Sequence, residues 1–240
     1  MKIIITKDYE ELSAKAFEVM KGVVQSNPCA VLGLATGTTP LGLYCHMIED
    51  HKSHGTSYKH IRTVNLDEYK GLPATHVQSY AYFMRENLFK FLDVMPANTH
   101  IENGTAQDER EECERYNALL ESLPRDIQLL GLGSNGHIAF NEPNTPFGSE
   151  THVVDLTENT IKDNARLFAD ISEVPKKAFT MGIKQIMQAK QILILASGKN
   201  KADAVYKTVC GKVTEEVPAS VLQLHPNCIL IADKEAASKI

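Results

Sequence analysis

Six short, β-rich and largely apolar runs punctuate this chain, at positions 3–6, 31–35, 61–66, 127–132, 192–196 and 228–232. They do not alternate apolar with polar residues, which is the pattern of strands covered on both faces of a parallel sheet. Between them lie amphipathic stretches, among them 9–24, 79–92 and 108–120, whose apolar positions recur at helical spacing. Alternation of the two patterns along the whole length predicts an α/β fold: a single three-layer domain, spanning 1–240, with a mostly parallel sheet flanked by helices. No internal repeat, low-complexity tract or flexible linker interrupts it. The irregular stretch 141–155 is expected to be an inserted loop.

In such sheets ligands bind beyond the carboxyl ends of the strands. The run at 31–35 leads into Thr36-Gly37-Thr38-Thr39-Pro40, and the run at 61–66 into Asp67-Glu68-Tyr69. The run at 127–132 leads into Gly133-Ser134-Asn135-Gly136-His137, and that at 192–196 into Ser197-Gly198-Lys199-Asn200-Lys201. Glycines, hydroxyls, carboxylates, a histidine and lysines thus converge on one edge.

Composition narrows the class. The chain has 240 residues, 43% hydrophobic and 23% charged, as expected of a soluble globular protein with an ample core. A formal net charge of -5 argues against a non-specific grip on nucleic acid, without excluding an anionic small substrate. Five dispersed cysteines, with no CxxC pair, fit reduced thiols in the cytoplasm better than a disulfide framework. The first residues turn charged too early for a signal peptide, and no apolar run approaches the roughly 20 residues that span a bilayer. The expected partner is a small molecule, not nucleic acid and not a membrane.

Each strand-end segment has a chemical and a plain structural reading. The small residues Thr36 to Thr39 let a backbone approach an anion at a helix start, or they form an ordinary turn with Thr39 as cap. Asp67 and Glu68 suit a general base with a neighbour that tunes it, or a helix N-cap. His137 and Glu142 suit an imidazole–carboxylate pair, or a solvated histidine. Residues 131–136 match GxGxxG, but the chain continues Ile138-Ala139-Phe140-Asn141-Glu142-Pro143, with poor helix formers where the dinucleotide motif needs a helix. Those glycines are therefore expected to serve tight turns and ligand access, with no nicotinamide cofactor. His46, His51 and His54 sit among Asp50, Lys52 and Ser53 and read as an exposed helix end, not a zinc site. Lys201 and Arg166 can each balance a phosphate or decorate a helix.

Together, the stretches Gly33 to Pro40, Asn65 to Leu72, Gly136 to Pro143 and Leu222-Gln223-Leu224-His225-Pro226 closely resemble the glucosamine-6-phosphate deaminase (isomerase) family. They occur in order over nearly the whole chain. The resemblance implies a Rossmann-like fold shared with sugar-phosphate isomerases and lactonases, and conversion of glucosamine 6-phosphate and water into fructose 6-phosphate and ammonia. It implies neither a metal nor an organic cofactor. Carried over by motif, Asp67 moves the proton between C2 and C1, and His137 opens the pyranose ring with Asn135 and Glu142 orienting it. Thr36, Gly37, Thr38, Thr39, Glu68, Gly136, Arg166 and Lys201 are the implied substrate contacts, and 156–174 the implied mobile lid. Two departures stand out. Asn135 replaces an aspartate of some members, and so orients the ring without adding negative charge. The stretch 144–152 lacks the basic residues of allosteric hexamers, and the chain stops at Ile240, so a monomer or small homo-oligomer is expected.

Overall fold

The computed structural model describes residues 1–156 and 173–240. Arg166, and all but the ends of the segment 156–174, lie outside the described residues.

All six apolar runs are strands of one parallel sheet: β1 (Lys2–Thr6), β2 (Val31–Leu34), β3 (Arg62–Asn65), β6 (Ile127–Gly131), β9 (Ile192–Ala196) and β10 (Cys228–Asp233). A two-residue strand, β5 (Thr99–His100), completes the order β1-β10-β9-β6-β2-β3-β5. β2 and β9 are buried at every position, which requires cover on both faces and explains why their sequences do not alternate.

The flanking helices follow their apolar spacing. In α1 (Tyr9–Ser26), Leu12, Ala16, Met20 and Val24 recur every four residues and are buried. Asp8 caps it, its side chain accepting from the Glu11 N–H. α2 (Leu41–His54) ends at Gly55 in the left-handed conformation. α4 (Glu109–Ser122) starts from the Asp108 cap and buries Glu112, Tyr116 and Leu120. α5 (Ala202–Cys210) follows β9. α3 (Tyr80–Asn87) is shorter than its pattern predicts, because Leu88 leaves the helical conformation at φ −141°, ψ −65° and only a 3₁₀ turn, Phe89–Phe91, continues the path.

One feature corrects the sequence reading. Asp67–Tyr69 is itself a strand, β4, and His152–Asp155, placed above in an inserted loop, is another, β7. With β8 (Lys177–Thr180) they form a separate antiparallel sheet in the order β4-β8-β7. These strands are three or four residues long and carry acids, lysine and threonine, so no apolar run marks them.

The topology also creates a crevice. From β2 the chain moves outward through β3 to β5, then returns to β2's other side at β6. The direction of winding therefore reverses between β2 and β6, and strand-end loops part there. At Gly33 the two strands touch closely: a Cβ would stand 2.1 Å from Gln128 Oε1, in a fully buried side chain. Gly33→Ala is expected to destabilise the protein by about 1–3 kcal/mol through this overpacking, measured as a lower urea midpoint at unchanged slope.

Candidate active site

Over that crevice lies a cavity of about 400 Å³ lined by Thr36, Gly37, Thr39, Asp67, Ser134, His137, Asn200 and Lys201, with Tyr80, Ala139 and Phe140. It gathers the ends of β2, β6 and β9 and the start of β4. A second cavity of about 430 Å³, between α3 and β5, is lined by apolar side chains such as Met84, Phe89 and Val94, and holds none of the predicted site residues.

Asp67 and Glu68 are neighbours on a strand, so their side chains point to opposite faces. Asp67 lines the cavity, is 7% exposed, and receives no hydrogen bond from any described residue. Burial, with the adjacent Glu68 charge, pushes its pKa up to about 8. Glu68 points away and does not line the cavity, contrary to its reading as a substrate contact. Its carboxylate accepts from the Tyr69, Tyr80 and Ala81 backbone N–H groups at 2.8–2.9 Å, holding the first turn of α3. Burial raises its pKa, and these three donors oppose the rise.

His137 sits in a turn shaped by its own glycines. A Cβ at Gly133 would fall 2.4 Å from the imidazole Cε1 and Nδ1, so only glycine leaves room for the ring. Gly136 has φ 89° and packs against Val217, outside the cavity lining. No helix follows; residues 138–141 form an isolated bridge, as expected for a GxGxxG that is not a dinucleotide loop. The buried Asn141 amide donates to the Ile138 and Met181 carbonyls and anchors the turn beside β8.

His137 Nδ1 stands 3.5 Å from Glu142 Oε1, an ion-pair distance at the outer limit of a hydrogen bond. Asn135 Nδ2 donates to Glu142 Oε2 at 2.7 Å, and Asn135 Oδ1 accepts from the His137 backbone N–H. The imidazole, with the Asn135 amide, holds the Glu142 carboxyl below its usual range despite partial burial. Asn135 and Glu142 thus stand behind the ring and outside the cavity lining.

The opposite end of the cavity is suited to an anion. Tyr9 Oη lies within hydrogen-bond distance of the Thr38 and Thr39 carbonyls and accepts from the Gly42 N–H, clamping this loop from behind. The N–H groups of Gly37, Thr38 and Thr39 donate to no described residue. Pro40, not Thr39, is the cap residue of α2. Thr38 lines the adjoining hollow with Ser197. Lys201, facing the cavity from the start of α5, has no acidic partner among the described residues, and burial lowers its pKa.

Tyr80 and Phe140, whose rings stack with centroids 6.1 Å apart, escaped the sequence reading. His225, from a recognised motif, is buried away from the cavity, its Nε2 2.8 Å from the Ala189 carbonyl. His54 is 3.2 Å from Asp50, and His51 Nδ1 lies 2.7 Å from the Thr56 carbonyl. No helix among the described residues is long and apolar enough to cross a membrane.

Residues 7–230 match the family model described as glucosamine-6-phosphate isomerases/6-phosphogluconolactonase. A glucosamine-6-phosphate deaminase of Thermoanaerobacter pseudethanolicus is 52% identical over 100% of this chain and 95% of its own. The solved structure of a monomeric glucosamine-6-phosphate deaminase is 48% identical, with TM-score 0.97 and full coverage of both chains. A 6-phosphogluconolactonase structure from Trypanosoma brucei, 21% identical, covers 100% of this chain and 98% of its own with TM-score 0.80, a likeness of fold.

Two outcomes test this geometry. The folded protein binds the Asp67 proton more tightly than the unfolded chain does. Its contribution to stability is complete below the ordinary carboxylate range and is lost as pH rises through about 8. Asp67→Asn should remove that part of the loss, read from urea midpoints between the ordinary carboxylate range and about pH 8. Gly133→Ala should displace the imidazole and lower kcat by about 10²-fold with little change in phosphate affinity; an unchanged kcat would show that the ring's place is not set by this contact.

Proposed function

The chain belongs to the glucosamine-6-phosphate isomerase/6-phosphogluconolactonase family, and we propose that it converts glucosamine 6-phosphate and water into fructose 6-phosphate and ammonia. The observation that carries the reading is the pairing, in one cavity, of a buried carboxyl with a carboxylate-backed imidazole, together with a lysine and loop N–H groups that have no partner among the described residues.

The reaction needs two separate acid–base groups. His137, oriented through Glu142 and Asn135, moves the proton that opens the pyranose ring. Asp67 then takes the proton from C2 of the open chain and returns it to C1. The amino sugar passes through an enol-amine to a C2 imine, and water adds at C2 to release ammonia. One carboxylate beside both carbons suffices, because it can hold a proton between the two transfers. The substrate's ammonium group on C2 favours ionised Asp67, offsetting the burial that keeps it protonated in the free protein.

The phosphate lies far from the bonds that change, and its binding energy positions the reacting end. Lys201, the Gly37 to Thr39 N–H groups and the Thr36 and Thr39 side chains are its proposed ligands, with Arg166 as a further cation. Tyr80, Ala139 and Phe140 form the apolar wall. The scheme uses no metal or organic cofactor. The monomeric relative supports a monomer, and one site on one chain would saturate hyperbolically. Five free cysteines, three of them exposed, support a reducing, cytoplasmic location.

Chelator-treated protein should release ammonia and fructose 6-phosphate from glucosamine 6-phosphate. Hydrolysis of a sugar lactone without ammonia release would replace this reading by that of a lactonase. The acid limb of kcat/KM, which rises as Asp67 ionises in the free protein, should lie near pH 8 instead of the usual carboxylate range. Lys201→Ala should weaken substrate binding by roughly 1.5–3 kcal/mol, as loss of a charge-assisted bond; unphosphorylated glucosamine reacting as well as its phosphate ester would show the anion site to be misplaced.

A further inference from the structure

Asp233, at the end of β10, takes no part in the scheme above, yet its carboxylate is only 5% exposed and carries four hydrogen-bond contacts. Oδ2 accepts from Ser197 Oγ at 2.5 Å and from the Gly198 N–H at 2.9 Å. Oδ1 accepts from the Ala236 N–H at 2.8 Å and lies 3.2 Å from the same Gly198 nitrogen. β10 pairs in register with β9, Ala232 opposite Ala196, so the next residue of each, Asp233 and Ser197, meet where both strands end.

What Asp233 holds is the bend that delivers Lys201. Gly198 sits at φ 92°, ψ 153°, a conformation that side chains rarely adopt. Fixing its N–H from below aims the peptide that follows. The Gly198 carbonyl then accepts from the Lys201 N–H at 3.0 Å, and α5 begins. Ser197, held by the same carboxylate, faces Thr38 and Thr39 across the adjoining hollow. The two halves of the anion cradle are thus braced from behind, one by the Tyr9 hydroxyl and the other by Asp233.

We propose that Asp233 is a positioning residue for anion binding, fixing the Ser197–Lys201 bend so that Lys201 and Asn200 face the cavity. The assignment rests on the reading of that cavity end as the phosphate site. A carboxylate beneath an anion site repels the anion, so removing its charge alone should tighten binding. Removing its acceptors should loosen the bend and weaken binding. Asp233→Asn removes the charge and one of the two acceptor oxygens, and the sign of the result shows which effect wins.

The experiment is calorimetric titration with inorganic phosphate of the wild type, Asp233→Asn, Ser197→Ala and Lys201→Ala, with kcat and KM for glucosamine 6-phosphate and the thermal midpoint of each. The expected result for Asp233→Asn is phosphate Kd and KM both raised about tenfold, the loss of one bond to a charged group, with kcat retained. Ser197→Ala should shift both constants the same way by less, and it carries the test should Asp233→Asn fail to fold. A lower thermal midpoint with phosphate affinity unchanged, or affinity that increases, would overturn the assignment. Failure of the wild type to bind phosphate, or of Lys201→Ala to weaken it, would instead sink the anion-site reading itself.

Discussion

The site depends on two adjacent acids being forced to opposite faces of one short strand. Because side chains alternate along β4, Asp67 and Glu68 cannot share an environment. Glu68 is turned inward and receives three backbone N–H groups from its own strand and the start of α3. Asp67 is turned to the cavity and receives none from the described residues. The same burial that costs both acids their hydration is thus partly offset for Glu68 and, among the described residues, not offset for Asp67. The result is a carboxyl whose pKa is carried up to about 8, into the range where a group can both take and return a proton.

Other parts of the fold serve this division. β4 exists because β8 and β7 pair beside it, and β8 in turn fixes the histidine turn: Thr180 Oγ1 accepts from the Phe140 N–H, and the Met181 carbonyl accepts from Asn141. Asp67 and the turn after His137 are therefore both tied to one small antiparallel sheet, while the proposed anion cradle is set by the large parallel one. Glu68 ties α3 to the same strand, which brings Tyr80 to the cavity wall. A change in β8 should consequently reach Asp67 and His137 together.

The large sheet was legible because its central strands are apolar enough to announce burial on both faces, and the strand-end rule then located Thr36, Asp67, His137 and Lys201. The small sheet was not, because strands such as Asp67-Glu68-Tyr69 carry no periodic apolar signal. Without β4 the opposite orientation of Asp67 and Glu68 is not visible, nor that the Glu68 carboxylate anchors the start of α3. Gly136 likewise belongs to the turn's conformation and not to the cavity lining, a distinction that only the positive φ and the Val217 contact reveal. Tyr80 comes from a helix whose apolar face looked like ordinary core. Asp233 also sits at the end of a strand, but its partners Ser197 and Gly198 lie 36 and 35 residues away, a pairing that no local pattern encodes.

The central claim, that Asp67 and not His137 handles the carbon-bound proton, is tested most directly by exchange of the C2 hydrogen of the substrate with deuterated water. The account predicts that Asp67→Asn abolishes exchange while still binding phosphate. It predicts that His137→Gln keeps a slow exchange, limited by spontaneous opening of the sugar ring. Exchange at the wild-type rate in Asp67→Asn would contradict it and pass the role of base to another group.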